Sequence, residues 1–402
     1  MERIIIDTDP GIDDAGALFW ALASDALQVA ALTTVFGNVD VETATANARR
    51  IVAVTGRTDV PVWRGSARPL VGRPHYAEHI HRPGGLGYWE HPDPDPQSDE
   101  ESVAVRRMID TVMSAPGEVS ILALAPLTNV ALAIKLEPAF ARSVRRIIYM
   151  GGAALTWGNV TPVASANIYN DPEAAQIVID SGAPVTQVGL DVSRNFALSL
   201  DHLAELWESP SPTARALCEM IGYPDRQDSR DEMPEWKSEG MHLNDVPCVA
   251  YALNPEWFTV RRLHVDVELH GEHTRGQTVV HMTDRWQQEP NVDVLLDIDG
   301  QAVADALTAA VSSVQFAPRD NPVRPHPLMS GPSGHAPARR STRRESVRGR
   351  TCFTIQPVFT GHHSGRATTR PAARVSSRSR TRRPARPGQL PTKSPLRRLA
   401  RT

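Results

Sequence analysis

Short runs of Val, Ile and Leu recur along the first half of the chain, separated by amphipathic stretches of helical length. The runs fall at residues 3–7, 29–36, 119–124, 145–150 and 185–190, and each leads into a Gly, Asp, Asn or Pro cluster. Helix patterns lie at residues 14–23, 41–55, 102–115, 128–137 and 172–181. Runs this apolar read as strands buried on both faces, and helices between consecutive strands make those strands parallel. The expected fold class is therefore α/β, a mostly parallel open sheet flanked by helices. Ligands of such sheets bind beyond the carboxyl ends of the strands.

Charge divides the chain in two. Residues 317–402 hold 20 Lys+Arg against 2 Asp+Glu, so residues 1–316 keep 23 of the 43 basic and 44 of the 46 acidic residues. The net charge of −3 thus hides a strongly acidic body and a basic tail rich in Arg, Ser and Pro, a composition expected to be disordered. The expected division is a catalytic domain over 1–316 and a disordered tail over 317–402. An acidic body argues against nucleic-acid binding and suits a site that gathers carboxylates around a cation. Cys218, Cys248 and Cys352 have no metal-ligand spacing and no disulfide framework, which favours a reducing cytoplasm. No apolar run approaches the roughly 18 residues that cross a bilayer. Residues 64–99 and 222–240 read as long irregular loops, and loops of that length are often functional.

The most chemically pointed segment is Asp7-Thr8-Asp9-Pro10-Gly11-Ile12-Asp13-Asp14, which places four carboxylates within eight residues at a strand end. Pro10-Gly11 makes a tight turn, and Asp13 or Asp14 can cap the helix that follows. Capping accounts for one or two of the acids. The rest repel one another unless a cation is present, and aspartate oxygens suit a hard cation such as Ca²⁺ or Mg²⁺.

This segment resembles the D-x-D-P-G-x-D-D-A fingerprint of the inosine–uridine preferring nucleoside hydrolase family, whose fold is Rossmann-like. Further segments follow in the family's order: Val35-Phe36-Gly37-Asn38-Val39, His81 with Gly85-Leu86-Gly87, Ala125-Pro126-Leu127-Thr128-Asn129, Met150-Gly151-Gly152, Gly158-Asn159-Val160, and Asn167 with Asp171-Pro172-Glu173-Ala174-Ala175. The resemblance spans about residues 1–316. It implies an N-glycosyl hydrolase that cleaves ribonucleosides to base and ribose, acts in purine or pyrimidine salvage, and assembles as a homo-oligomer (a dimer or tetramer), with no membrane partner.

The resemblance also implies residue roles. Asp9, Asp14, the carbonyl of Leu124 and Asp245 would ligate Ca²⁺, which would hold the attacking water and the ribose 2′- and 3′-hydroxyls. Asp13 would be the general base, and Asp7 would support the metal ligands. Asn38, Asn159 and Asn167 would bond sugar hydroxyls or the carboxylates, and Met150 would lie under the sugar. Two positions depart from the family pattern. Ser165 stands where many members carry a glutamate that binds the sugar's 5′ side. Asn244 stands where broad-range members carry a histidine that protonates the leaving base, with His242 two residues earlier. If that stretch is extended, His242 and Asn244 share a face. His81 is the other candidate for leaving-group help, and Trp236 or Tyr223 can instead stack on a base.

One rival lies within enzymes and one comes from another class. Asp7-Thr8-Asp9 after a strand also resembles the D-x-D nucleophile motif of haloacid dehalogenase-type phosphatases, although the Pro-Gly-x-Asp-Asp continuation opposes that reading. Ser165 and Asn244 equally motivate a catalytically weakened nucleoside- or ribose-binding protein.

Overall fold

Ile4, Ile5 and Ile6 are all fully buried, and their alternation sets the layers of the molecule. Ile4 and Ile6 point into one apolar cluster with Leu18, Ile51, Leu217 and Leu307, while Ile5 points into a second with Met108, Val130 and Val178. Successive side chains of a strand face opposite ways, so a run with no polar member requires cover on both sides. Each such side chain contributes about 1.5–3 kcal/mol when removed from water.

The computed structural model describes residues 1–91, 103–223 and 240–314. Its strands are β1 (Glu2–Thr8), β2 (Leu27–Thr34), β3 (Val62–Arg64), β4 (Val119–Ala123), β5 (Ile147–Met150), β6 (Val185–Val188), β7 (Phe258–Val267), β8 (Thr278–His281) and β9 (Val292–Ile298). They form one sheet in the order β3-β2-β1-β4-β5-β6-β9-β7-β8. All pairings from β3 across to β9 are parallel, and β7 is antiparallel to both of its neighbours. The α/β expectation and the mostly parallel sheet hold. Strands β1, β2, β4, β5 and β6 and the helices Ile12–Ala23, Val41–Val54, Ala104–Ser114, Thr128–Leu136 and Pro172–Ile179 lie where the apolar pattern puts them, within two residues at most boundaries. No helix among the described residues is long and apolar enough to cross a membrane.

Connectivity runs outward from β1 to β2 and β3, then resumes on the other side of β1 at β4. The reversal leaves a crevice beyond the carboxyl ends of β1 and β4, the usual ligand position in open sheets. β7 escapes the apolar pattern because Thr259, Val260, Arg261 and Arg262 are exposed, and only its second half alternates. Of the stretch 64–99, residues 65–91 are largely irregular, with one short helix at Glu78–His81. Trp236 and the tail expected to be disordered lie outside the described residues.

The opposite end of the sheet is held by charge. Glu2 opens β1, and its carboxylate takes two hydrogen bonds from Arg146, at 2.9 Å and 2.6 Å, and one from Ser120 of β4 at 2.5 Å. Burial alone raises the Glu2 carboxyl, but the hydrogen bonds from Arg146 and Ser120 and the nearby positive charges outweigh it, leaving Glu2 below its usual range. A depressed carboxylate contributes stability that is present above its unfolded pKa and is lost as pH falls through the folded value. Arg146→Met is expected to destabilise the protein at pH 7 by roughly 1–2 kcal/mol after solvent screening. In urea unfolding, the gap between variant and wild type should close below pH 4; a gap that persists there would assign the loss to packing rather than to charge.

Candidate active site

The turn after β1 places its acids by steric and hydrogen-bonding rules together. Gly11 precedes the Ile12–Ala23 helix, and a Cβ there would lie 2.7 Å from His81 Nδ1 and 2.8 Å from Asn38 Nδ2. Only glycine lets these side chains close over the turn. Asp14, in the first turn of the helix, reaches back to accept the Gly11 N–H at 2.9 Å, so it caps the helix as expected of one of the pair. Its carboxylate also accepts from Thr8 Oγ1 at 2.5 Å and from Asn38 Nδ2 at 3.0 Å. Gly37 serves the same purpose from β2's side: a Cβ would fall 1.8 Å from Asp9 Oδ2, and its absence lets the Asn38 N–H donate to that oxygen at 2.6 Å.

Asp7 lies within β1, and the sheet register sets it against Thr33 and Ala123. Its Oδ1 accepts from Thr33 Oγ1 at 2.6 Å and from Asn129 Nδ2 at 2.8 Å. Asn129 also donates to the Thr34 carbonyl at 3.0 Å and accepts from the Ser66 N–H at 2.9 Å, so one amide ties three segments to the acid. Asp7 Oδ2 and Asp9 Oδ1 are both buried with no hydrogen-bond partner.

Asp245, at the start of the Val246–Leu253 helix, faces this cluster from the other wall. Asp13, Asp14 and Asp245 each offer an oxygen within 4.8 Å of the others, a group able to hold a metal ion. Burial raises Asp245 well above the usual carboxylate range, and the charges of Asp13, Asp14 and Asp9 raise it further. Burial, then the charge of Asp14, does the same to Asp9. Burial takes Asp7 to about 7 despite its bonds to Asn129 and Thr33, and burial with the charge of Asp13 takes Asp14 to about 6. No Lys or Arg among the described residues pairs with any of these acids. Two orphaned carboxylate oxygens, an all-oxygen donor set and mutual repulsion with no described Lys or Arg to offset it fit a hard divalent cation.

Asp13 differs from its neighbours in its contacts. Asn244 Nδ2 donates to its Oδ2 at 3.3 Å, and His81 Nε2 lies 3.8 Å from its Oδ1. His81 Nδ1 accepts the Ile12 N–H at 3.2 Å, so the ring proton sits on Nε2 and faces Asp13. The opposite wall is closed by Asn167, whose amide donates to the Leu124 carbonyl at 2.6 Å, to the Met150 carbonyl at 3.2 Å and to Met150 Sδ at 3.3 Å. The structure thus brings together Asp7, Asp9, Asp13, Asp14, Asn38, His81, Asn244 and Asp245, with Leu124, Met150 and Asn167 linked beside them.

Four expected site residues make other contacts. Ser165 is fully buried, and its hydroxyl accepts the Gly152 N–H at 2.7 Å. This contact fixes the turn after β5. His242 places Nδ1 2.8 Å from the Phe196 carbonyl, and no described contact joins it to the acids. The stretch around it is not a continuous strand, since Met241 makes only an isolated bridge to Leu198 before the chain turns into the next helix. Asn159 is exposed, and its Oδ1 accepts the Ala166 N–H at 2.9 Å. Tyr223 is buried and tilts against Trp207 at 6.2 Å. Thr8, Thr33 and Asn129 are the working residues that a residue-by-residue reading of the sequence misses. The period of β1 and β2 carries a signal for the pair Asp7 and Thr33, but only once the register is known.

Comparison with known proteins identifies the family. The family model for inosine-uridine preferring nucleoside hydrolases matches residues 4–305. The chain is 40% identical over 291 residues to a protein named probable uridine nucleosidase 2 from Oryza sativa subsp. japonica, covering 72% of this chain and 85% of that one. It is 37% identical to the pyrimidine-specific ribonucleoside hydrolase RihA of Citrobacter koseri, over 76% of this chain and 96% of that one. The solved structure of a plant nucleoside hydrolase superposes with a TM-score of 0.71 at 35% identity, covering 78% of this chain and 99% of that chain. The chain belongs to the inosine–uridine preferring nucleoside hydrolase family and is an N-glycosyl hydrolase that acts on ribonucleosides.

Proposed function

We propose that this enzyme hydrolyses the N-glycosidic bond of pyrimidine ribonucleosides, uridine foremost, in a Ca²⁺-dependent reaction with Asp13 as general base. The observation that carries the reading is the contrast within one acidic cluster. Asp9, Asp14 and Asp245 are buried and raised together, while Asp13 is held by a neutral amide on one oxygen and faces an imidazole N–H on the other. The uridine preference is supported by the names of the relatives that are 36–42% identical to the chain.

Asp9, Asp14, Asp245 and the Leu124 carbonyl would hold the Ca²⁺. When bound, the ion supplies charge neutralisation, water polarisation and an anchor for the ribose 2′- and 3′-hydroxyls. Asp13 takes the proton of the attacking water. Asn244 fixes its outer oxygen, and the Nε2–H of His81 steadies the other, so His81 acts on the base rather than as a free acid. As the glycosidic bond breaks, positive charge grows on the ribose, and the acidic wall favours that charge. Asn38 spends its N–H and amide on Asp9 and Asp14, so its part is to hold these acids in place. Asn167 and Met150 frame the floor on which the sugar would lie. Asp7, braced by Thr33 and Asn129, supports the turn from beneath. The activity is assigned to residues 1–316, with the basic tail dispensable, because the family match ends at residue 305.

A panel of uridine, cytidine, inosine and adenosine, assayed for free ribose, should show uridine cleaved fastest. Chelation should abolish the activity and Ca²⁺ should restore it. Asp13→Asn should lower kcat on the order of 10²–10⁴-fold with little change in KM. Retention of a tenth or more of the activity by that variant would remove Asp13 from the role of base.

The raised carboxyls fix a pH dependence for cation binding. Folded values above the unfolded ones mean that the cation-free native state binds the extra protons between about 4 and about 7, so its stability falls as pH rises through that window. A divalent cation must displace those protons. The rise in Tm produced by Ca²⁺ should therefore grow from pH 5 to pH 8. A Ca²⁺ shift that is constant across this range would contradict the electrostatic account.

A further inference from the structure

At the far edge of the sheet, the β7–β8 pair carries a second set of converging donors. His264 and His281 are direct cross-strand partners, and Asp266 lies two residues along β7 on the same face. His264 Nε2 is 3.4 Å and His281 Nε2 3.3 Å from the same oxygen, Asp266 Oδ2. One donor atom from each residue lies within 4.8 Å of the others. Bonds of about 2.0 Å in a tetrahedral site set neighbouring donors about 3.3 Å apart, so two edges of this triangle already match such a site.

The tautomers point the same way. His264 Nδ1 sits 2.7 Å from the Glu289 carbonyl oxygen and must carry the ring proton to bond it. Its Nε2 therefore keeps a lone pair facing Asp266, the arrangement by which an outer hydrogen bond prepares a histidine ligand. The His281 side chain is only 8% exposed, and both of its ring nitrogens are buried with no hydrogen-bond partner. Leaving a buried polar group unsatisfied is costly, and native structures do so rarely. The ring is held in place by Trp286, packed edge-on at 4.6 Å, and by the His264 ring at 4.7 Å.

We propose that His264, Asp266 and His281 bind a transition-metal ion of the Zn²⁺ class, with the remaining position open to water. Two imidazoles and one carboxylate favour Zn²⁺, Ni²⁺ or Co²⁺, whereas the all-oxygen aspartate site favours Ca²⁺ or Mg²⁺. The ion would brace the edge of the sheet. Thr278, which opens β8, accepts the Ala153 N–H at 2.9 Å and donates to the Ala153 carbonyl at 3.1 Å, so the brace steadies the turn after β5 without touching the reacting groups.

The test is Zn²⁺ titration of the full-length protein by calorimetry in millimolar Ca²⁺, which keeps the aspartate site filled. Metal content is measured after gel filtration, and Co²⁺ serves as a spectroscopic probe. The wild type is expected to bind one Zn²⁺ per chain, to melt at a higher temperature with it, and to give visible Co²⁺ absorption of a four-coordinate site. His281→Ala and Asp266→Asn should each weaken Zn²⁺ binding at least tenfold while leaving uridine hydrolysis in Ca²⁺ within twofold of wild type. His264→Gln provides a third variant should His281→Ala fold poorly. Absence of saturable Zn²⁺ binding in the wild type, or equal binding in the variants, would overturn the proposal.

Discussion

Asp7, Asp9, Asp14 and Asp245, buried together with no described Lys or Arg to pair with them, are the constraint on which the rest of the site depends. Each carboxylate loses its hydration on burial, and the charges of neighbouring aspartates raise Asp9, Asp14 and Asp245 further. A chain does not gather such groups for stability alone, because uncompensated buried charge is strongly destabilising. The surrounding structure works to hold them in spite of that repulsion. Thr8, Thr33, Asn38 and Asn129 place hydroxyl and amide donors on them, and Gly11 and Gly37 let those donors approach. The sheet supplies rigidity through a fully buried β1 and through the Glu2–Arg146 pair at the end away from the site.

The switch in strand order explains why these groups meet. β1 delivers the acids, β2 delivers Thr33 and the Asn38 loop, and β4 delivers Leu124 and Asn129, all at carboxyl ends around the β1–β4 crevice. Asp245 arrives from more than a hundred residues further along, on a helix packed against the Ile12–Ala23 helix. Function therefore rests on long-range assembly, whereas helix capping by Asp14 and the turn at Pro10-Gly11 are local.

What the sequence made legible follows the same division. The parallel strands, the acidic turn and the residues of its motif were readable because each depends on local pattern or on a dense, ordered series of motifs. Side-chain direction was not. Ser165 stood out only as a departure from the family's glutamate, and its hydroxyl accepts the buried Gly152 N–H. His242 read as a possible acid, yet a carbonyl of Phe196 holds it away. Asn129 read as one letter of a motif, and its role in tying β1, β2 and the loop at Ser66 emerges only from three distances. Strand β7 escaped because four exposed residues interrupt its apolar pattern. Its donors His264 and Asp266 gain meaning only when β8 pairs beside them.

The site depends on one repulsion, that of the buried aspartates awaiting a cation. Asp245→Asn tests it directly, since no donor among the described residues reaches the Asp245 carboxylate and the amide is nearly isosteric. Thermal unfolding of this variant and of wild type is measured in chelator and in Ca²⁺. Removing one repelling charge should raise the Tm of the chelated protein by at least about 2–4 °C and should abolish most of the further rise with Ca²⁺. A variant that melts below wild type in chelator, or that keeps the full Ca²⁺ shift, would contradict the claim.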